Sequence, residues 1–249
     1  MFYYTFMQRA FGFRQGDVAW WFEALGCAQA TPPVGRRSAI GQLVKSMLSG
    51  RTRDAVSKAA YDALVARYPT PRLLAGASAT AIEAVVAPVT FAGDKAANVA
   101  GALATIGQER PAFDLDFLGG LPLADALAWL ERLPGVARKV AASTLNASTL
   151  GLPVLIVDTH VLRVLRRLGL VGRAADYRVA SEAVTAAMSG WTGDEFLLFH
   201  MALKRLGQTI CRWDVPLCGR CRLAGDCPTA RRDPPAAPAW ARKLKARMG

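Results

Sequence analysis

The sequence predicts an all-α protein, and three observations lead there. Apolar residues recur at three- and four-residue intervals in four separate segments, the spacing that lines one face of a helix. Apolar residues fill 52% of 249 positions, enough for one large core or two modest ones. Only residues 154–157 (VLIV) read as a strand, and that run is short and has no partner.

The elements follow in chain order. An N-terminal helix is expected around residues 17–27, broken from the rest by residues 31–37 (TPPVGRR). Ile40, Leu43, Val44, Met47 and Leu48 share one face of the next helix. Residues 107–122 (GQERPAFDLDFLGGLP) read as a loop. Beyond it Leu123, Leu127, Leu130 and Leu133 mark another amphipathic helix. Residues 151–153 make a further break. Val161, Leu162, Val164, Leu165 and Leu168 then line a helix that Gly169 should end, and Phe196, Phe199, Leu203 and Leu206 line one that Gly207 should end. Residues 232–249 are rich in Pro, Ala and basic side chains and lack a core pattern, so a basic tail is expected there.

Composition narrows the function. The net charge is +12, from 31 Lys and Arg against 19 Asp and Glu. Such an excess points to a polyanionic partner, nucleic acid above all. No apolar run is long enough to cross a bilayer; the most apolar stretch, residues 79–92, contains Glu83 and Pro88. The first fifteen residues do not read as a signal peptide, so a cytoplasmic protein is expected.

Residues 133–139 (LPGVARK) lie between two helical stretches. Pro134 and Gly135 force a tight turn and a helix begins at once. Its first backbone N–H groups have no partner inside the helix, and with Arg138 and Lys139 they suit a phosphate. The plainer alternative is an ordinary helical hairpin. Lys139 has a second reading: a primary amine beside other cations on a partly dry turn has its neutral form favoured, and neutral amine attacks carbon at the aldehyde level. A solvated or phosphate-pairing lysine is the simpler alternative.

Asp158 follows the apolar run 154–157 and precedes a helix. Its plainest role is an N-cap. A carboxylate fixed at a helix start is also preorganised to stabilise positive charge developing nearby. His160, just inside that helix, reads as a packed or capping residue.

Cys211, Cys218, Cys221 and Cys227 lie close together near the C-terminus, and only Cys27 stands apart from them. Four soft ligands at this density read as a metal site. Only Cys218 and Cys221 form the short knuckle that zinc sites use in pairs, so a compact iron–sulfur site fits better. Zinc and disulfides are the alternatives.

LPGVARK, then VDTHV, then C-x6-C-x2-C-x5-C, in that order, resembles the endonuclease III family of DNA glycosylases, from about residue 38 to residue 228. The resemblance implies two helical domains flanking a DNA-binding groove. Residues 38–150 would form a six-helix barrel domain ending in a helix-hairpin-helix. Residues 1–37 plus 151–231 would form the second domain, with a [4Fe–4S] cluster on the four cysteines. Lys139 matches the family's nucleophile and Asp158 its catalytic aspartate. The implied activity is removal of oxidised pyrimidines from duplex DNA, then strand nicking by β-elimination. The implied partner is double-stranded DNA holding a damaged base or an abasic site, met by a monomer at the nucleoid.

The chain departs from the family pattern where MLSGRTRD replaces an LLSAQ-type segment. Arg51 stands in place of the glutamine that fills the gap left by the flipped base. Arginine can pair with guanine or grip a phosphate. Phe91 lies near the family's apolar wedge, where it could stack between bases or belong to the core. Ala137 replaces the hairpin's second glycine. DNA contacts are therefore expected at Arg51, Phe91, Gly135, Val136, Ala137 and Arg138. The competing expectation is a non-catalytic protein of the same fold that binds damaged DNA.

Overall fold

A computed structural model describes residues 18–27 and 30–231. The basic tail expected over residues 232–249 and the first turn expected at Asp17 lie outside the described residues. The chain divides into two compact units. One is Pro33–Leu152; the other takes the described residues of 1–32 and of 153–249. Both are helical, and among the described residues no strand forms.

The Pro33–Leu152 unit opens with α2 (Ala39–Ser49); α1 (Val18–Ala24) belongs to the other unit. Ser38 caps α2, its Oγ accepting from the Gly41 N–H, and the predicted face from Ile40 to Leu48 is buried. There follow α3 (Asp54–Arg67), α4 (Pro71–Ala75), α5 (Ala79–Val86) and α6 (Ala92–Glu109). Thr70 and Ser78 cap α4 and α5 in the same way. The expected loop after α6 starts only at Arg110 and contains a 3-10 turn, Asp116–Gly120. α7 (Leu123–Glu131) and α8 (Arg138–Ala147) complete the unit.

α2 packs on α3, α6 and α8, and α5 packs on α3 and α6. Leu43, Leu48, Leu64, Ile82, Leu103 and Ile106 are fully buried among them, each contributing about 1.5–3 kcal/mol. The entry and exit strands of chain are tied together. Arg37 and Ser148 form a parallel bridge, and Arg36 Nη1 donates to the carbonyls of Asn146 and Ser148 at 2.9 and 3.2 Å.

In the other unit, α9 (Thr159–Leu168), α10 (Tyr177–Ala187), α11 (Gly193–Thr209) and α12 (Pro228–Arg231) follow in order. α1 packs on α11, where Trp21 meets Phe199 edge-on at 5.2 Å. The predicted face of α9 is buried from Val161 to Leu168, and Gly169 ends the helix at φ +73°, as its sequence predicts. Gly207 behaves differently from expectation. α11 continues through it to Thr209, and a Cβ at Gly207 would stand 2.9 Å from His160 Cβ. The glycine permits the close crossing of α9 and α11 rather than a helix stop.

Residues 154–157 are buried without pairing as a strand. Side chains satisfy their backbone instead. Thr185 Oγ1 accepts from the Leu155 N–H, Ser181 Oγ donates to the Leu155 carbonyl, and His200 Nδ1 lies 2.8 Å from the Ile156 carbonyl.

Candidate active site and cysteine cavity

The hairpin between α7 and α8 is built by one glycine. Gly135 has φ +72°, and a Cβ there would stand 2.6 Å from Asn98 Cβ, so neither the conformation nor the space admits a side chain. The Val136 N–H closes the turn on the Leu133 carbonyl at 3.1 Å. Pro134, Gly135 and Ala137 are exposed at its tip. Two of the residues expected to contact DNA carry buried side chains. Val136 is 5% exposed and packs inward. Arg138 is 7% exposed, and its Nε donates to Glu131 Oε1 at 2.5 Å. That guanidinium joins α8 to α7 inside the fold; a charge this deep needs its carboxylate more than a phosphate.

Lys139 follows on the first turn of α8 and is half-buried. Its Nζ donates to Ser49 Oγ at the end of α2, and Ser49 Oγ donates in turn to the Ser46 carbonyl at 2.8 Å. A buried polar set fixes α2 against α8 behind this pair. Gln42 Nε2 donates to Ser46 Oγ and Ser143 Oγ, each at 3.1 Å, and Ser46 Oγ donates to Ser143 Oγ at 2.9 Å. The amine of Lys139 is thus held from a rigid two-helix seam.

Arg51 and Phe91 meet in the same unit. Both have left-handed backbones, at φ +52° and +58°, and the Arg51 guanidinium lies 5.8 Å from the Phe91 ring centroid. Phe91 is 54% exposed, so it is a surface ring and not a core residue.

Asp158 is the N-cap of α9. Its Oδ1 accepts from the N–H groups of His160 and Val161, both at 2.9 Å. Among the described residues no bond to Oδ2 is formed. His160 packs against Gly207, and its Nδ1 lies 3.2 Å from Arg163 Nη2.

The four clustered cysteines line one cavity with Val164, Leu168, Leu206, Ile210 and Pro216. All four are free thiols. Burial first, and neighbouring cysteines after it, push Cys218 and Cys221 above the ordinary thiol value. Among the described residues no three His, Cys, Asp or Glu side chains converge tightly enough to hold one metal ion. Two arginines of α9 pin the cysteine loop. Arg163 Nε donates to the Cys211 carbonyl at 3.0 Å and its Nη2 to the Gly207 carbonyl at 2.6 Å. Arg167 Nη1 reaches Cys211 Sγ at 3.4 Å and the Arg212 carbonyl at 2.5 Å. The Arg167 carbonyl accepts from Cys227 Sγ and from Thr229 Oγ1.

Ser49, Glu131, Arg163 and Arg167 were not singled out by sequence. The one available signal was the four-residue interval between Arg163 and Arg167, which sets both on one helix face.

The family model for "HhH-GPD superfamily base excision DNA repair protein" matches residues 44–188. The chain belongs to this superfamily. It is 31% identical over 204 residues to endonuclease III of Synechocystis sp., covering 81% of this chain and 86% of that protein. It is 30% identical to endonuclease III homolog 2, chloroplastic, of Arabidopsis thaliana, covering 82% of this chain and 51% of that longer protein. A solved structure of a trapped endonuclease III–DNA covalent intermediate shares the fold. It has a TM-score of 0.70 and 22% identity, and the match covers 90% of this chain and 97% of that one. The HhH-GPD chain described here is therefore a base excision repair DNA glycosylase of the endonuclease III family. That family is generally associated with an iron–sulfur cluster. Among the described residues no helix is long and apolar enough to cross a membrane.

Proposed function

We propose that this glycosylase removes oxidised pyrimidines from duplex DNA and then nicks the strand at the resulting abasic site, with Lys139 as nucleophile and Asp158 as its carboxylate partner. The observation that carries the reading is the tethered amine of Lys139, held on Ser49 at the start of a hairpin helix instead of ranging through solvent. A catalytic group gains most when its geometry is fixed before the substrate arrives.

The target base must leave the stack, at a few kcal/mol, and a damaged base that pairs badly leaves most readily. The unprotonated amine of Lys139 attacks C1′. The N–C1′ bond forms as the bond from C1′ to the base breaks, and the base leaves with the bonding electrons. Asp158 stabilises the positive charge on the sugar and accepts a proton from the attacking nitrogen. The nitrogen lone pair then forms a C1′=N iminium as the C1′–O4′ bond breaks and O4′ takes the proton from Asp158, and the iminium acidifies C2′–H. Loss of that proton and cleavage of the bond from C3′ to the phosphate oxygen give the nicked strand. Water then hydrolyses the imine and frees Lys139. The hairpin tip at Pro134, Gly135 and Ala137 meets a backbone phosphate, and Arg51 and Phe91 contact the duplex.

Cys211, Cys218, Cys221 and Cys227 would hold a [4Fe–4S] cluster. Their donor set, four free thiols, is the ligand chemistry of that group. Bound there, it would tie residues 211–227 together as a structural clip, with the chemistry left to other residues.

Borohydride reduction tests the reading. The wild-type protein should become covalently linked to a duplex holding an abasic site, and Lys139→Ala should not. Absence of an adduct and of nicking, with DNA binding intact, would leave a non-catalytic damage-binding protein.

A further inference from the structure

Lys95 lies on the first turn of α6, four residues after Phe91, and its ammonium turns back into the protein. Nζ donates to the Leu48 carbonyl at 2.9 Å, to the Gly50 carbonyl at 2.5 Å and to Thr52 Oγ1 at 3.0 Å. An ammonium has three donors, and three acceptors meet them. Leu48 lies in the last turn of α2, whose negative dipole end suits a cation. Burial draws Lys95 below the ordinary lysine value, so the contact is kept against a desolvation penalty.

The three acceptors surround Arg51. A non-glycine residue in the left-handed region costs about 1 kcal/mol or more and persists only where its surroundings over-determine it. The Lys95 side chain supplies that restraint at Arg51. Its backbone supplies one at Phe91, since the Lys95 N–H donates to the Phe91 carbonyl at 3.1 Å. One residue therefore ties together both left-handed positions. Those positions carry an exposed ring and a guanidinium already in contact with it.

We propose that Lys95 is a positioning residue that clamps residues 50–52 to the start of α6, so that Arg51 and Phe91 meet the distorted duplex as one rigid two-residue blade. The inference rests on the DNA-processing reading above. Its ligand is duplex DNA with a gap in the base stack. Phe91 supplies a face for stacking, and Arg51 supplies donors for a base edge or phosphate. Rigidity has value here because a blade that must be ordered on contact loses affinity to that ordering.

The test compares binding to a duplex holding a tetrahydrofuran abasic analogue with binding to the same duplex intact. Lys95→Met should weaken the abasic duplex about tenfold and the intact duplex little, because only the former needs the blade. Arg51→Ala should also weaken it. The double variant Lys95→Met/Arg51→Ala should bind no worse than Arg51→Ala alone, because Lys95 acts through Arg51. A general structural role for Lys95 would weaken both duplexes equally and persist undiminished in the Arg51→Ala background; either result overturns the clamp. Thr52→Val, which removes one acceptor and leaves Lys95 in place, should give a smaller loss of the same kind even where Lys95→Met fails to fold. Wild-type affinity for the abasic duplex in Thr52→Val would also overturn it. Wild-type borohydride trapping separates the two levels. Trapping without any effect of these variants refutes only the clamp, whereas a wild-type protein that neither traps nor prefers the abasic duplex refutes the function beneath it.

Discussion

Lys139 Nζ donates to Ser49 Oγ at 2.5 Å, joining the first turn of α8 to the last turn of α2. Ser49→Ala should keep the fold and release the amine. Loss of one such bond costs about 1 kcal/mol of stability, while a freed side chain should slow imine formation about tenfold. Denaturant unfolding measures the first effect and single-turnover borohydride trapping the second. An unchanged trapping rate would show that Ser49 does not position the amine.

Asp158 caps α9 through Oδ1 alone. Asn is as good an N-cap as Asp, so Asp158→Asn should change stability by less than about 0.5 kcal/mol. It removes the negative charge from the site, so base excision should fall on the order of a hundredfold. Asp158→Ala should lose both the activity and about 1 kcal/mol. Thermal melts and excision assays on the two variants separate the cap from the charge.

Gly135 stands at φ +72° with Asn98 against it. Gly135→Ala should destabilise the protein by about 1–3 kcal/mol and weaken DNA binding, since the hairpin must shift to admit the methyl. An unaltered melting temperature would show that the hairpin yields freely.

Cys218 and Cys221 are raised above the ordinary thiol value by burial and by neighbouring cysteines. A raised thiol pKa leaves fewer thiolates at any given pH, and thiolates are the ligands. Reconstitution of the metal-free protein with iron and sulfide should therefore quicken between about pH 7 and about pH 8.5. Iron content and visible absorption follow the loading. A rate independent of pH over that range would show that deprotonation does not limit it.

The local devices were legible in the sequence. The faces of α2 and α9, the stop at Gly169 and the Asp158 cap each follow from residues a few positions apart. Arg138 shows what such reading misses. Beside Lys139 it reads as a second phosphate ligand, and its pairing with Glu131, seven residues earlier, is visible only in the fold. Gly207 fails for a related reason. A glycine that ends a helix and one that admits a neighbouring helix are the same letter, and only His160 across the crossing distinguishes them.

By itself, the sequence determined the helical class, the hairpin, the capping carboxylate and the group of four thiols, because dihedral preference, apolar period and ligand spacing act over short stretches of chain. Tertiary structure alone decided that Ser49 holds Lys139, that Arg163 and Arg167 pin the cysteine loop, and that Lys95 reaches back across more than forty residues to brace Arg51. Those contacts depend on which helices cross and how closely, and that is set by packing of the whole unit.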